Sequence, residues 1–212
     1  MPEQIDRARH SERFEATSGV VIWAALLVAL FIPIDLLGEA RPGFMSRGAW
    51  AVYDGFMHGF QAVAVAIPIL ARAKFLTLKA LAVAFVAGMA LDLDHFVLAE
   101  SVSLADAIAI TQRPPTHSLA FAAAVGAVTL LWVRRPLMAW IVTASLAAHV
   151  LRDASTWVTP WLNPFRCSTI SPVAYYVGIA ALAVVPAFVF NYFARRSRER
   201  SQALAESEAR TN

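Results

Sequence analysis

Six apolar stretches, near residues 19–38, 49–70, 77–98, 116–133, 137–158 and 171–193, leave this chain few ways to fold. Each approaches the roughly 20 residues a helix needs to cross a hydrocarbon core of about 30 Å. Inside lipid every backbone N–H and C=O needs a partner within the protein, and a helix supplies one locally. Only 16% of the residues are charged and 58% are apolar, which is outside the range of ordinary soluble domains. The expected fold class is therefore all-α: a polytopic membrane bundle of about six transmembrane helices over residues 19–193. A segment 1–18 precedes it and a charged, alanine-rich tail, 194–212, follows it. The first stretch is expected to stay as a span, because Pro33-Ile34-Asp35 follows it in place of a small-residue cleavage site.

The net charge of +3 does not imply nucleic acid, because the basic residues cluster beside the spans. With both termini in the cytoplasm, the outer segments hold Arg41, Arg47, Arg113, Arg152 and Arg166, and the other 13 of the 18 Lys and Arg lie inside. The positive-inside rule thus puts both ends in the cytoplasm. Trp23, Trp132 and Trp140 then fall near the inner interface and Trp50, Trp157 and Trp161 near the outer one, as an aromatic belt does. The single cysteine, Cys167, excludes an internal disulfide and a cysteine zinc site. Between the third and fourth stretches, "SVSLADAIAI" is too short to cross and reads as a small interfacial helix, with Ser103 and Asp106 spaced as a capping pair.

Charged groups in hydrocarbon are costly and are normally kept for function. In this topology Asp54, His58, Asp92, Asp94, His95, His117, His149, Arg152 and Asp153 all fall in the outer half of the bundle, so four of the five histidines share one level. Asp54 and His58 are four apart, as are His149 and Asp153, so each pair shares a helix face. Of Asp92 and Asp94, two apart, a regular helix turns only one directly to the His95 side, Asp92 being favoured as ligand, unless the helix unwinds there. Mixed imidazole and carboxylate donors suit zinc, manganese or iron, and carboxylate-dominated sets suit magnesium or manganese. Pro114 and Pro115 are placed to open the fourth span, whose first N–H groups, around Thr116, His117 and Ser118, would attract an anion. Arg113 and Arg152 would clamp that anion, or Arg152 would simply neutralise carboxylates. Asp54 reads equally as a ligand and as a carboxylate that orients His58. Asp35 reads as an interfacial charge at the end of the first span.

At these residues the chain resembles a known family. "LDLDHF" (91–96), "QRPPTHS" (112–118) and "HVLRDASTW" (149–157) are similar to the three signature blocks of the LexA-regulated, membrane-bound metal-dependent hydrolases, P-D-I-D-H, H-R-G-x-T-H-S and H-x-x-x-D-x-x-T, and His58 matches the family's earlier lone histidine. Order and spacing agree over residues 54–165. Gln112 stands where the family has His, Pro114 where it has Gly, and Thr156-Trp157-Val158-Thr159 where it has T-x-x-G. The resemblance implies metal-dependent hydrolysis.

The functional expectation is a hydrolase in the cytoplasmic (inner) membrane acting on a phosphoester or related ester of a lipid-borne substrate, its site toward the extracytoplasmic side. His58, Asp92, His95, His117, His149 and Asp153 would hold one or two divalent metal ions, zinc first, with manganese or magnesium as alternatives. Asp94 would be a ligand or the general base, and Arg113 and Arg152 would stabilise phosphoryl charge. A competing resemblance is to the type 2 phosphatidic acid phosphatases, metal-free enzymes with a histidine nucleophile. Arg113-Pro114, His117 and His149/Asp153 match it, but its upstream lysine and P-S-G-H block are missing and Asp92, Asp94 and His95 have no part in it. An ion-coupled carrier would continue its polar residues toward the cytoplasm; the inner halves of the third to fifth spans are apolar.

Overall fold

A computed structural model describes residues 19, 22–33, 35, 45–110 and 113–211. The segment 1–18 and Gln112 lie outside the described residues. The helices are α1 (Ile22–Pro33), α2 (Arg47–Arg72), α3 (Leu78–Ala90), α4 (Asp94–Leu98), α5 (Leu104–Ala107), α6 (Leu119–Val133), α7 (Pro136–Thr156) and α8 (Pro172–Thr211). A 3-10 turn, Leu91–Leu93, joins α3 to α4 into one apolar rod, Leu78–Leu98. Between α7 and α8 a two-stranded antiparallel hairpin, β1 (Thr159–Asn163) with β2 (Arg166–Ser168), is the one departure among the described residues from an all-helical fold.

Helix ends follow local chemistry. Ser46, Thr77 and Ser118 cap α2, α3 and α6 by accepting from the N–H three residues on. Pro136 opens α7 at a position where a missing N–H is harmless. The expected pairing of Ser103 with Asp106 does not form: Ser103 makes no side-chain cap, and Ser101 Oγ donates to Asp106 Oδ2 at 2.6 Å instead.

Four helical stretches are long and apolar enough to cross a membrane: α2, the α3–α4 rod, α7 and Pro172–Phe190 of α8. The apolar α6 is shorter, and α1 is described over Ile22–Pro33. The fourth span was expected to begin at residue 116, yet α6 starts at Leu119, so its 15 residues reach only about 22 Å. Non-helical Arg113–Ser118 makes up the length, and this is tolerable at depth because His117 and Ser118 are fully buried by protein rather than exposed to lipid. The expected boundary at 193/194 falls inside α8, a continuous helix of 40 residues that passes through the proposed tail.

α7 is the axis of the bundle and contributes to every hydrophobic cluster. With α1, α2 and α8 it buries Leu27, Phe31, Val65, Ala144 and Ile179. With α2 and α3 it buries Leu70, Ala84 and Ile141, and with α6 and the end of α3 it buries Leu91, Ala122 and Val150. Lipid tails are as apolar as leucine, so such helices associate through close packing of small residues. Gly88 and Gly126 meet that need: a methyl on Gly88 would lie 2.6 Å from the Ala62 methyl, and one on Gly126 would overlap the Thr143 hydroxyl. The outward surface is greasy, with Val86, Leu131 and Trp132 exposed, as lipid contact requires.

Candidate metal centre

Three elements converge at one end of the bundle. The 3-10 turn carries Asp92, the loop before α6 carries His117, and the last turns of α7 carry His149 and Asp153. One ligand atom from each lies within 4.8 Å of the other three. His149 Nε2 is 3.5 Å from Asp92 Oδ1 and 3.5 Å from Asp153 Oδ2, and His117 Nε2 is 3.8 and 3.3 Å from the same two oxygens. A tetrahedral ion bound at about 2.0–2.1 Å separates its donors by roughly 3.3–3.5 Å, so these four edges have the dimensions of a cation site.

The donor atoms are also free to bind. His149 Nδ1 is 2.7 Å from the Gly88 carbonyl; a carbonyl only accepts, so Nδ1 carries a proton, and in the neutral ring the Nε2 lone pair faces the cluster. His149 Nε2 and His117 Nε2 are buried with no hydrogen-bond partner in the protein. Burial without partners is costly, and a cation is one way to relieve it.

The expected choice between Asp92 and Asp94 does not arise. Residues two apart point about 160° apart on an α-helix but about 120° apart on a 3-10 turn, so the turn brings both toward His117. Asp94 Oδ2 accepts from the Thr116 hydroxyl and lies 3.2 Å from His117 Nδ1, the nitrogen on the far side of the ring from Asp92. Asp94 Oδ1 is buried and unpartnered. Asp94, His95 and His117 form a second group of convergent donors that shares His117 with the first.

The other predicted residues take different places. His58 is buried, stacks on His149 with ring centroids 3.7 Å apart and planes within 16°, and its Nε2 lies 3.4 Å from Asp153. Lone pairs lie in ring planes, and two nearly parallel planes aim at no common point, so His58 and His149 do not both ligate one ion in this geometry. His95 Nε2 faces the Arg113 guanidinium at 2.9 Å rather than the four-donor cluster. Arg113 grips Asp153 through Nε and NH2 at 3.2 and 3.3 Å, inside the site as expected. Arg152 is not beside it: Nε binds Asp35 at 3.0 Å and NH1 binds Asp54 at 2.7 Å. The two arginines share no partner in these contacts, so the expected pairing of the two is corrected: Arg113 lies at the cluster, and Arg152 is the buried counter-ion of Asp35 and Asp54. The interfacial role expected for Asp35 is likewise corrected, since it also accepts from Tyr176. The helix N-terminus expected around Thr116–Ser118 begins at Leu119, leaving His117 just outside it.

Sequence reasoning missed Thr116 as the partner of Asp94 and Gly88 as the partner of His149. For Thr116 the adjacency to His117 was a usable signal; for Gly88 only the small residues of "AVAFVAGMA" hinted at close packing.

No solved structure matches this chain. Transmembrane protein 267 of Danio rerio is similar to it, 27% identical over 158 residues that cover 68% of this chain and 67% of the relative. Residues 54–206, which include every donor described above, match the profile of the YdjM inner membrane protein family. This chain belongs to the YdjM inner membrane protein family.

Proposed function

We propose that this protein is a membrane-embedded, metal-dependent hydrolase of a phosphoester or related ester carried on a lipid. The observation that carries this reading is the four-donor cluster: Asp92, His117, His149 and Asp153 at cation-site spacing, with buried imidazole nitrogens that have no hydrogen-bond partner. These residues would hold a divalent ion, zinc before manganese or magnesium. When bound, such an ion lowers the pKa of a coordinated water and polarises a phosphoryl oxygen.

The remaining groups serve that chemistry. The Gly88 carbonyl fixes the His149 ring, and Asp94 Oδ2 faces the far nitrogen of His117. Asp94 Oδ1, buried and unpartnered, is the proton acceptor. Arg113, held by Asp153 and His95, presents its guanidinium at the cluster and stabilises negative charge on the phosphoryl oxygens. His58, braced by Asp54 at 3.7 Å, supports His149 from behind by stacking. The apolar outer surface supports a substrate that arrives through the bilayer.

The test is elemental mass spectrometry of detergent-purified wild type beside His149→Ala, with release of phosphate from phospholipid assayed with and without chelator. About one equivalent or more of a transition metal, lost in the variant, together with chelator-sensitive turnover, is the expected result. Equal metal content in both proteins sinks the assignment. No metal in either would shift the chemistry to a histidine nucleophile, with His117 the next residue to replace.

A further inference from the structure

One helical turn from the metal centre, toward the middle of the bundle, lies a second buried polar layer. Arg152 binds Asp54, His149 stacks on His58, and Val65 packs with Ala144, so α2 and α7 run antiparallel with a fixed register. Gln61 follows His58 by one turn and Ser145 precedes His149 by one turn, so the two lie in the same layer. Both are fully buried. Gln61 Nε2 donates to the buried Tyr175 hydroxyl of α8 at 3.0 Å. Gln61 Oε1, Ser145 Oγ and both ring nitrogens of His58 have no hydrogen-bond partner in the protein. Hydroxyls in a helix commonly bond back to the carbonyl four residues earlier, as Thr129 and Thr143 do, but Ser145 does not.

Buried polar atoms are nearly always satisfied, and where protein groups do not serve, water does. The donors and acceptors here match water. Gln61 Oε1 accepts, Ser145 Oγ does both, and a neutral imidazole offers one nitrogen of each kind. Neither Gln61 nor Ser145 carries a charge, so the layer has nothing to recruit an anion or to neutralise a second cation. Farther from the metal centre, Val65, Ala66, Leu70 and Ile141 close it with apolar packing. That apolar closure is unlike a carrier's through-path.

We propose that Gln61, Ser145 and Tyr175 form an internal water pocket that holds the co-substrate water of the hydrolysis, an inference that rests on the hydrolytic reading. A lipid head group seated over the metal centre covers its open side, so the attacking water has to be inside already. In the step it serves, the water oxygen bonds to phosphorus and the bond from phosphorus to the lipid oxygen breaks. One water proton goes to Asp94 and is returned to the leaving alcohol.

The test is a structure of the full chain at a resolution that shows ordered water, together with Ser145→Val, which fills the layer, and Ser145→Ala, which removes the hydroxyl without adding bulk. Expected are water density within hydrogen-bond distance of Gln61 and Ser145 and, in the variants, about tenfold lower turnover with unchanged metal content and unchanged KM for the lipid. A direct bond between Gln61 and Ser145 with no water density overturns the pocket, as does full turnover in both variants. A protein that holds the water but hydrolyses no phosphoester loses the hydrolytic reading and keeps the site; a hydrolase whose layer is dry loses the site and keeps the reading.

Discussion

At the scale of single residues, two arginines of similar appearance in the sequence, one buried and one partly buried, do different work. Arg113 touches Asp153, His95 and Asp92, all at the candidate metal centre, whereas Arg152 neutralises Asp35 and Asp54. Removing one member of a buried ion pair leaves an uncompensated charge, at a cost of about 3–5 kcal/mol. Arg152→Ala strips the partner from two carboxylates at once and is expected to lose that much stability in a thermal melt in detergent, with Arg152→Lys recovering part of it. An unchanged melt with abolished turnover would instead return Arg152 to the reacting group. Which residues gather at the candidate site was largely legible, because charge in an apolar stretch stands out; which ones pair was not. Arg152 and Asp35 are 117 residues apart and Arg152 and Asp54 are 98 apart, so only the folded bundle makes them neighbours.

Among the elements, the decisive details are short. Helical periodicity placed His149 and Asp153 on one face of α7, and they are there. It had no means to foresee the 3-10 turn at Leu91–Leu93, whose residues are as compatible with a regular helix, and that turn is what brings Asp92 and Asp94 to His117 together. Nor does composition announce that Gly88 both lets α3 approach α2 and lends its carbonyl to His149. These two roles make a prediction. In Gly88→Ala the added methyl would stand 2.6 Å from the Ala62 methyl and 2.8 Å from the His58 carbonyl oxygen, so α2 and α3 have to separate. Overpacking of this kind costs about 1–3 kcal/mol. The shifted carbonyl would also release the His149 ring. A lowered melting temperature and reduced metal occupancy are expected together, by thermal scan and elemental analysis of one preparation. Full occupancy at an unchanged melting temperature would reject both roles.

For the whole molecule, apolar length and composition were enough to give a helical membrane bundle, since hydrocarbon leaves the backbone no cheaper solution. The start of α6 was not so easily read: Pro114 and Pro115 suggest a helix opening at residue 116, whereas Arg113–Ser118 stays non-helical with His117 and Ser118 buried by protein. The distribution of lysine and arginine leads to the expectation that both termini lie in the cytoplasm and the candidate metal centre toward the outside. Nature supplies the probe for it. Cys167 is the chain's single cysteine, it is exposed, and it sits on β2 of the hairpin that follows α7, at the end of the bundle where α7 carries His149 and Asp153. A membrane-impermeant maleimide added to intact spheroplasts is expected to label the wild-type protein, and Cys167→Ser is expected to remain unlabelled. Labelling that appears only after the membrane is permeabilised would turn the molecule over and open the metal centre to the cytoplasm. The lipid-borne substrate would then have to be sought in the inner leaflet.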